Sequence, residues 1–274
     1  MVKIIDGKKL AQEKREKLEE KVSVLKKKLG RPPKLVSLMI GENKASRLYL
    51  SLKEKAAQEL GITFEKKIFS SQTEPGEIYR LISNLNRKKK VTGILIQLPL
   101  PKKFDPFWLV SKIDPEKDVD CLTPENLGLL LLNKPIFLPA VVKAVSLILE
   151  SEKIKLKGKK MVIVGAGRFV GQPLAIYFKN LGATVVLCDE ETRNLEEWTK
   201  KGEILISATG VPGLIKKEMV KKGAFVIDVG SPQPDLDFDA VKKVAALVTP
   251  VPGGVGPLTI ICLLENLLLA ANWS

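Results

Sequence analysis

The chain has 274 residues, with 45 Lys and Arg against 31 Asp and Glu (formal net charge +14), three cysteines and no histidine. That length suits one large or two modest domains. The missing histidine excludes His-based triads and His-ligated metal centres, and no metal site is expected. No apolar run reaches the roughly 18 residues of a membrane-spanning helix. The N-terminus lacks the apolar stretch of a signal peptide, so a cytoplasmic protein is expected.

From the N-terminus, Asp6 can cap a helix over Gly7–Leu29, with Leu10, Leu18, Val22, Leu25 and Leu29 at helical spacing. Residues 35–40 read as a strand, 45–60 as a helix ended by Gly61, 62–69 as a strand, 74–89 as a helix and 93–98 as a continuous apolar strand containing Gln97. After Pro99 the Pro- and Asp-rich stretches "PLPKKFDPFW" and "IDPEKDVDCLTPENLG" predict irregular structure, a functional loop or a link between domains. A helix over Ala140–Glu150 follows. A second alternation then places strands at 160–166, 183–189, 203–210 and 224–230, with helices at 170–182, 194–202 and 216–223. Strand–helix alternation of this kind argues for two α/β domains with mostly parallel sheets, the boundary falling in 115–140.

Cys121, Cys188 and Cys262 lie far apart without a CxxC, so neither a disulfide framework nor a zinc knuckle is expected. The positive charge raises nucleic acid as a partner. The lysines, however, come as scattered pairs and triples such as Lys26–Lys28 and Lys88–Lys90, which read as solvated surface or as steering for an anionic small substrate.

"VIVGAGRFVGQP" places Gly165, Gly167 and Gly171 directly after a strand and at a helix start. Glycines there permit a tight turn and close approach of backbone to a pyrophosphate, whose charge the helix N-terminus favours. The spacing G-x-G-x-x-x-G is one residue longer than the usual fingerprint, and a plain tight turn is the alternative. Asp189 ends the next strand, where a carboxylate can bind ribose hydroxyls and repel a 2′-phosphate, favouring NAD over NADP. Arg168 and Arg193 could instead meet a phosphate, and Asp189 could simply shape a turn. Thr209 and Gly210 in "SATG", and Gly230 and Ser231 in "DVGSP", end later strands and are candidate walls for the nicotinamide half.

Tyr49 and Lys53 lie four residues apart on one helical face, either as a cleft pair with a depressed amine pKa or as a surface lysine beside a half-buried ring. Gln97 in an apolar strand needs buried partners. Asp118 and Asp120 in "KDVDCL" could accept bonds from a polar heterocycle. "PVPGGVGPLT" (250–259) is both stiff and stripped of side chains.

These stretches, "YLSLK", "GILIQLPLP", "DPEKDVD", "GAFVIDVG" and "TPVPGGVGPLT", together resemble the bifunctional methylenetetrahydrofolate dehydrogenase/cyclohydrolase family over almost the whole chain. The resemblance implies an N-terminal catalytic domain (1–135) completed by a C-terminal helix (258–274), and a Rossmann-type NAD(P)-binding domain (136–257). It implies a folate site in the cleft between them and a homodimer formed through the Rossmann domain. Lys53 matches the lysine of the cyclohydrolase step, Gln97 the amide that tunes it, Tyr49 the aromatic packed on folate and Asp120 the carboxylate gripping the pterin edge. Ile96 and Leu98 flank Gln97 in the substrate site, and Pro252, Gly253, Gly254, Val255 and Gly256 match the loop lining the folate pocket.

Departures from the family pattern concentrate on the cofactor half. Gly165-Ala166-Gly167 stands where Gly-Arg-Ser is usual, Asp189-Glu190 where His-Ser is usual, "PAVVKA" for "PCTPKG", "DVGSP" for "DVGIN", and Cys121 for a glycine. The expected activity is oxidation of 5,10-methylenetetrahydrofolate to the methenyl cation and its hydrolysis to 10-formyltetrahydrofolate, a formyl source for purine biosynthesis. The alternatives are a cyclohydrolase without dehydrogenase activity and a basic NAD-fold nucleic-acid-binding protein.

Overall fold

A computed structural model describes residues 2–272. In chain order the elements are β1 (Lys3–Ile4), α1 (Gly7–Leu29), β2 (Lys34–Ile40), α2 (Lys44–Glu59), β3 (Thr63–Phe69), α3 (Pro75–Arg87), β4 (Gly93–Ile96), α4 (Pro106–Val110), α5 (Pro124–Leu131) and α6 (Ala140–Ser151). There follow β5 (Lys160–Val164), α7 (Gly171–Asn180), β6 (Thr184–Cys188), α8 (Leu195–Thr199), β7 (Ile204–Ser207), β8 (Phe225–Asp228), α9 (Phe238–Val241), β9 (Leu247–Val248) and α10 (Val255–Ala270). Among the described residues no helix is long and apolar enough to cross a membrane.

The chain divides into two compact units. One comprises Glu13–Leu129, Pro135–Ala140 and Ile260–Ser274, the other Met1–Gln12, Leu130–Lys134 and Val141–Thr259, each over its described residues. This differs from a division into 1–135 and 136–257. Residues 3–4 join the larger sheet because β1 pairs in parallel with β9, Lys3 opposite Leu247. Positions 273 and 274 of the closing segment lie outside the described residues.

The first unit is built on a parallel sheet in the order β3-β2-β4. Its central strand, β2, is buried at every position after Lys34, which is why it reads as an unbroken apolar run. Edge strand β3 instead alternates between half-buried and exposed residues from Glu65 on. Helix α1 starts where Asp6 Oδ1 accepts the Lys9 amide at 2.9 Å, and in this unit it buries Leu18, Val22 and Leu25. α10 packs here through Asn266, whose Nδ2 donates to the carbonyls of Val119 and Leu138 at 2.9 and 2.8 Å. The Pro- and Asp-rich region is more regular than its composition predicts. Asp105 and Asp114 each cap a short helical turn that begins with proline, and α5 adds eight residues. Proline at a first helical turn costs nothing, because its missing N–H would be unpaired anyway.

The second unit carries a six-stranded, all-parallel sheet in the order β1-β9-β8-β7-β5-β6. The sequence order turns back on itself at β5, the switch point where ligands sit in open α/β sheets. The register aligns Cys188, Val164, Ser207 and Asp228 in one row, so the carboxyl ends of β6, β5, β7 and β8 finish level. The segment predicted helical over 216–223 forms only a 3-10 turn, Lys217–Met219. Its lysine-rich sequence offers too few apolar positions to bury a longer helix.

Candidate active site

Helix α2 buries Ser46, Leu50, Lys53 and Ala57, a stripe at 3–4-residue spacing in which a lysine occupies a core-facing position. Asn43 fixes the start of the helix, its Oδ1 accepting the Ser46 amide at 2.9 Å. Lys53 is 9% exposed, and its Nζ donates to Gln97 Oε1 at 2.8 Å. Gln97 lies just beyond β4 rather than within it. Its amide continues the ladder to Leu38 O at 2.8 Å, and its Nε2 donates to Leu98 O at 3.1 Å. Leaving the strand there lets the amide side chain face α2. Tyr49, one turn before Lys53, is half-buried, as is Leu98, while Ile96 is buried.

Asp120 completes this group. An isolated parallel bridge sets Asp118 beside Ile94, so the segment bearing Asp120 runs along the end of β4. Burial holds the Lys53 amine below its ordinary value, and the charge of Asp120 opposes this. Burial raises the Asp120 carboxyl, the Lys53 charge opposes the rise and Asp118 adds to it. Both shifts favour the uncharged forms. Asp118 has a different task. It is 1% exposed, and its Oδ2 accepts the Thr123 amide at 2.7 Å and Asn126 Nδ2 at 2.9 Å, which orders the turn that presents Asp120. Cys121 adopts φ 60° in that turn and donates from Sγ to Phe137 O at 3.2 Å. A left-handed residue there accounts for the glycine expected at this position.

In the second unit the glycine loop divides into two roles. A side chain on Gly171 would collide with the Gly165 carbonyl, and one on Gly165 (φ 103°) with the Ala208 carbonyl. A side chain on Gly167 would meet nothing within 4 Å. The N-cap of α7, Val170, offers no side-chain bond. The loop therefore packs tightly behind and is open in front at a helix N-terminus, which fits a phosphate group. Ala166 is half-buried and Arg168 exposed. Asp189 is exposed, and its Oδ1 accepts the Glu191 amide and the Thr192 hydroxyl, both at 3.1 Å, so the turn alternative describes part of its role.

At the ends of β7 and β8, Thr209 is half-buried and its amide is held by Asp235 Oδ2 at 2.7 Å; Gly210 (φ 68°) and Ser231 are exposed. The Gly230 amide donates to Asp228 Oδ1 at 2.7 Å. Asp235, Asp228 and Ser207 are not visible as site residues in the sequence. The only local signal is an acid at a strand end and another seven residues later.

The proline–glycine loop also belongs to this unit. The bonds preceding Pro252, Pro232 and Pro99 are cis. Gly253 adopts φ 108°, and a side chain on Gly254 would lie 2.6 Å from Pro250 O. Gly7 abuts the Gly254 carbonyl so closely that a side chain on Gly7 would have no room. Val255 and Gly256 are not loop residues: they form the first turn of α10, which starts three residues earlier than expected, and Val255 is buried.

Comparison with known proteins agrees with the two α/β units. Residues 5–120 match the catalytic domain of tetrahydrofolate dehydrogenase/cyclohydrolase, and residues 139–274 match its NAD(P)-binding domain. The chain belongs to the tetrahydrofolate dehydrogenase/cyclohydrolase family. Among relatives, the bifunctional protein FolD of Exiguobacterium sibiricum is 43% identical, covering 99% of this chain and all of that one. The bifunctional FolD dehydrogenase/cyclohydrolase of Campylobacter jejuni superposes with a TM-score of 0.94 at 38% identity, covering 99% of each chain. The Trypanosoma brucei FolD, solved with NADP and an inhibitor, gives 0.95 at 35% identity over 99% of this chain and 98% of its own.

Proposed function

We propose that this protein oxidises 5,10-methylenetetrahydrofolate to the methenyl cation with a nicotinamide cofactor and hydrolyses that cation to 10-formyltetrahydrofolate. The carrying observation is the buried Lys53 amine, anchored 2.8 Å from Gln97 Oε1 and held below its ordinary pKa by burial. With one N–H committed to Gln97, the neutral amine keeps its lone pair for the proton of a water adding to the methenyl carbon. As the ring opens, the carbon–N5 bond breaks. One of the water's protons ends on N5 and the other leaves through Lys53. Tyr49 packs on the folate, and Ile96 and Leu98 flank Gln97 beside it. Asp120 grips the pterin edge with a carboxyl whose proton affinity burial raises and the Lys53 charge opposes. The backbone of Pro252, Gly253, Gly254, Val255 and Gly256 lines the folate.

A bound dinucleotide supplies the hydride acceptor for the oxidation. Gly165, Ala166, Gly167, Arg168 and Gly171 would hold its pyrophosphate, and Thr209, Gly210, Gly230 and Ser231 its nicotinamide half. Asp189 and Glu190, both exposed just after β6, would repel a 2′-phosphate, and the Ala166 methyl group offers it no hydrogen bond, which favours NAD.

A homodimer through β6 is part of the same reading. β6 is an edge strand of the large sheet, with Val185 and Val186 half-buried and Leu187 36% exposed. The net charge of +14 suits an anionic glutamate tail. We place the protein in the cytoplasm, its product 10-formyltetrahydrofolate serving as a formyl donor for purine biosynthesis. Neither a single-activity enzyme nor a nucleic-acid-binding protein is favoured.

Separate assays of hydride transfer and methenyl hydrolysis test the reading. Lys53→Met should slow hydrolysis by about 10²–10⁴-fold, the usual contribution of a positioned base. A parent-like hydrolysis rate in that variant would overturn the mechanism.

A further inference from the structure

Asp235 lies in the loop after β8 and is wholly buried. Its Oδ2 accepts two bonds from the end of β7, Ser207 Oγ at 2.8 Å and the Thr209 amide at 2.7 Å. The β7 backbone ladder makes its last bond at Ala208, whose amide donates to Val164 O at 2.8 Å. The next amide, that of Thr209, is the one Asp235 takes. Asp235 therefore continues the order of the sheet into a segment the sheet no longer holds.

The same carboxylate meets the neighbouring loop. Asp228, 1% exposed, accepts the Gly230 amide on Oδ1 at 2.7 Å and the Leu236 amide on Oδ2 at 3.1 Å. A methyl group on Gly230 would lie 2.5 Å from Asp235 Oδ1 and 2.8 Å from Asp228 Oδ1. Both carboxyls thus crowd one face of Gly230, and a side chain there would force them apart. Among the described residues, Asp235 Oδ1 has no hydrogen-bond partner. A buried carboxylate with one oxygen unpaired is costly to keep for stability alone.

We propose that Asp235 is a positioning residue for hydride transfer, its carboxylate setting the backbone of Thr209–Gly210 and, against Gly230, the facing loop. This rests on the dehydrogenase reading above, in which those two loops receive the nicotinamide half.

Asp235→Ala and Asp235→Asn, compared with the full-length parent, test it. Asparagine keeps an oxygen for Ser207 and Thr209 and places its NH₂ where the unpaired Oδ1 stands, toward Asp228. It should leave kcat/KM for hydride transfer within about threefold of the parent. Alanine should lower it by about 100-fold, the scale of a misplaced reactant, with the loss in kcat as well as in dinucleotide KM. Methenyl hydrolysis, which consumes no dinucleotide, should stay near the parent rate in both variants. In the protein without dinucleotide, exchange of the Thr209 amide hydrogen should accelerate about tenfold or more in the alanine variant only, as local order is lost. Unchanged Thr209 exchange, unchanged hydride transfer in the alanine variant, or equal losses in both activities would each overturn the proposal. A parent that transfers no hydride to NAD or NADP would refute the dehydrogenase reading separately. Asp235 would then be judged by Thr209 exchange and by fluorescence titration with NADH and NADPH, with unchanged values in the alanine variant overturning it.

Discussion

Replacing Gln97 with leucine removes the acceptor 2.8 Å from Lys53 Nζ while keeping an apolar side chain of similar size. The bond favours the charged amine over the neutral one, because hydrogen bonds to charged groups contribute about 1.5–3 kcal/mol and neutral ones about 0.5–1.5. The difference, about 1–1.5 kcal/mol, corresponds to roughly one pH unit at 1.36 kcal/mol per unit. Burial already holds the Lys53 amine down, with Asp120 the opposing influence, so losing the acceptor lowers it further. In the proposed mechanism hydrolysis requires the unprotonated amine, so its rate should rise with pH through the amine's pKa. The acid limb of the Gln97→Leu profile should therefore move about one pH unit lower, beneath a reduced plateau because the amine is no longer aimed. The assay follows loss of methenyltetrahydrofolate absorbance across pH, with the spontaneous rate subtracted. A limb that stays in place or moves to higher pH would refute the argument that Gln97 tunes the amine.

Asn266→Leu strands the carbonyls of Val119 and Leu138, each of which accepts its Nδ2. The cost should be about 2–4 kcal/mol for two unpaired buried acceptors, seen as a lower denaturant midpoint, and hydrolysis should fall more than hydride transfer because Val119 adjoins Asp120. Burial, with nearby Asp235 adding, pushes the Asp228 carboxyl up from 3.8 to about 6 while backbone N–H groups oppose the shift. Its folded value lies above its unfolded one, so the stability it contributes is complete below about pH 4 and lost as pH rises through 6, about 3 kcal/mol in all. Unfolding free energy measured from pH 4 to 7 should fall less steeply in Asp228→Asn than in the parent. Asp189→Ser removes an exposed carboxylate at the end of β6 and should shift the ratio of NADP to NAD turnover toward NADP by about tenfold, the effect of one charge near a phosphate; an unchanged ratio would remove Asp189 from the cofactor assignment.

Legibility in the sequence followed element length and chain locality. α1 was readable to its ends, because Asp6, the apolar stripe and Gly30 are all local signals. β1 and β9, two residues each, were not, since two residues carry no period and pair only across 243 intervening positions. Gln97 reads as a strand residue because the apolar run continues to Leu98, whereas its side chain is free to face Lys53 because the strand stops at Ile96. The set Tyr49, Lys53, Gln97 and Asp120, proposed for the folate side, was nameable through the order of its motifs. Asp235 was not, since its partners Ser207 and Thr209 lie 28 and 26 residues away and nothing in their spacing marks them.

The amino-acid order alone determined an α/β chain with a glycine loop between a strand and a helix, a lysine one turn from a tyrosine, and membership of a folate-processing family. Those features are local patterns, written in the period of the backbone and the conformational freedom of glycine and proline. Only the tertiary structure decided that Lys53 is buried on Gln97, that Asp118 orders a turn while the Asp120 charge acts on the amine, and that Asp235 holds the end of β7. Each of these depends on which distant groups share one desolvated space, and burial is what turns an ordinary lysine or aspartate into one with an altered proton affinity.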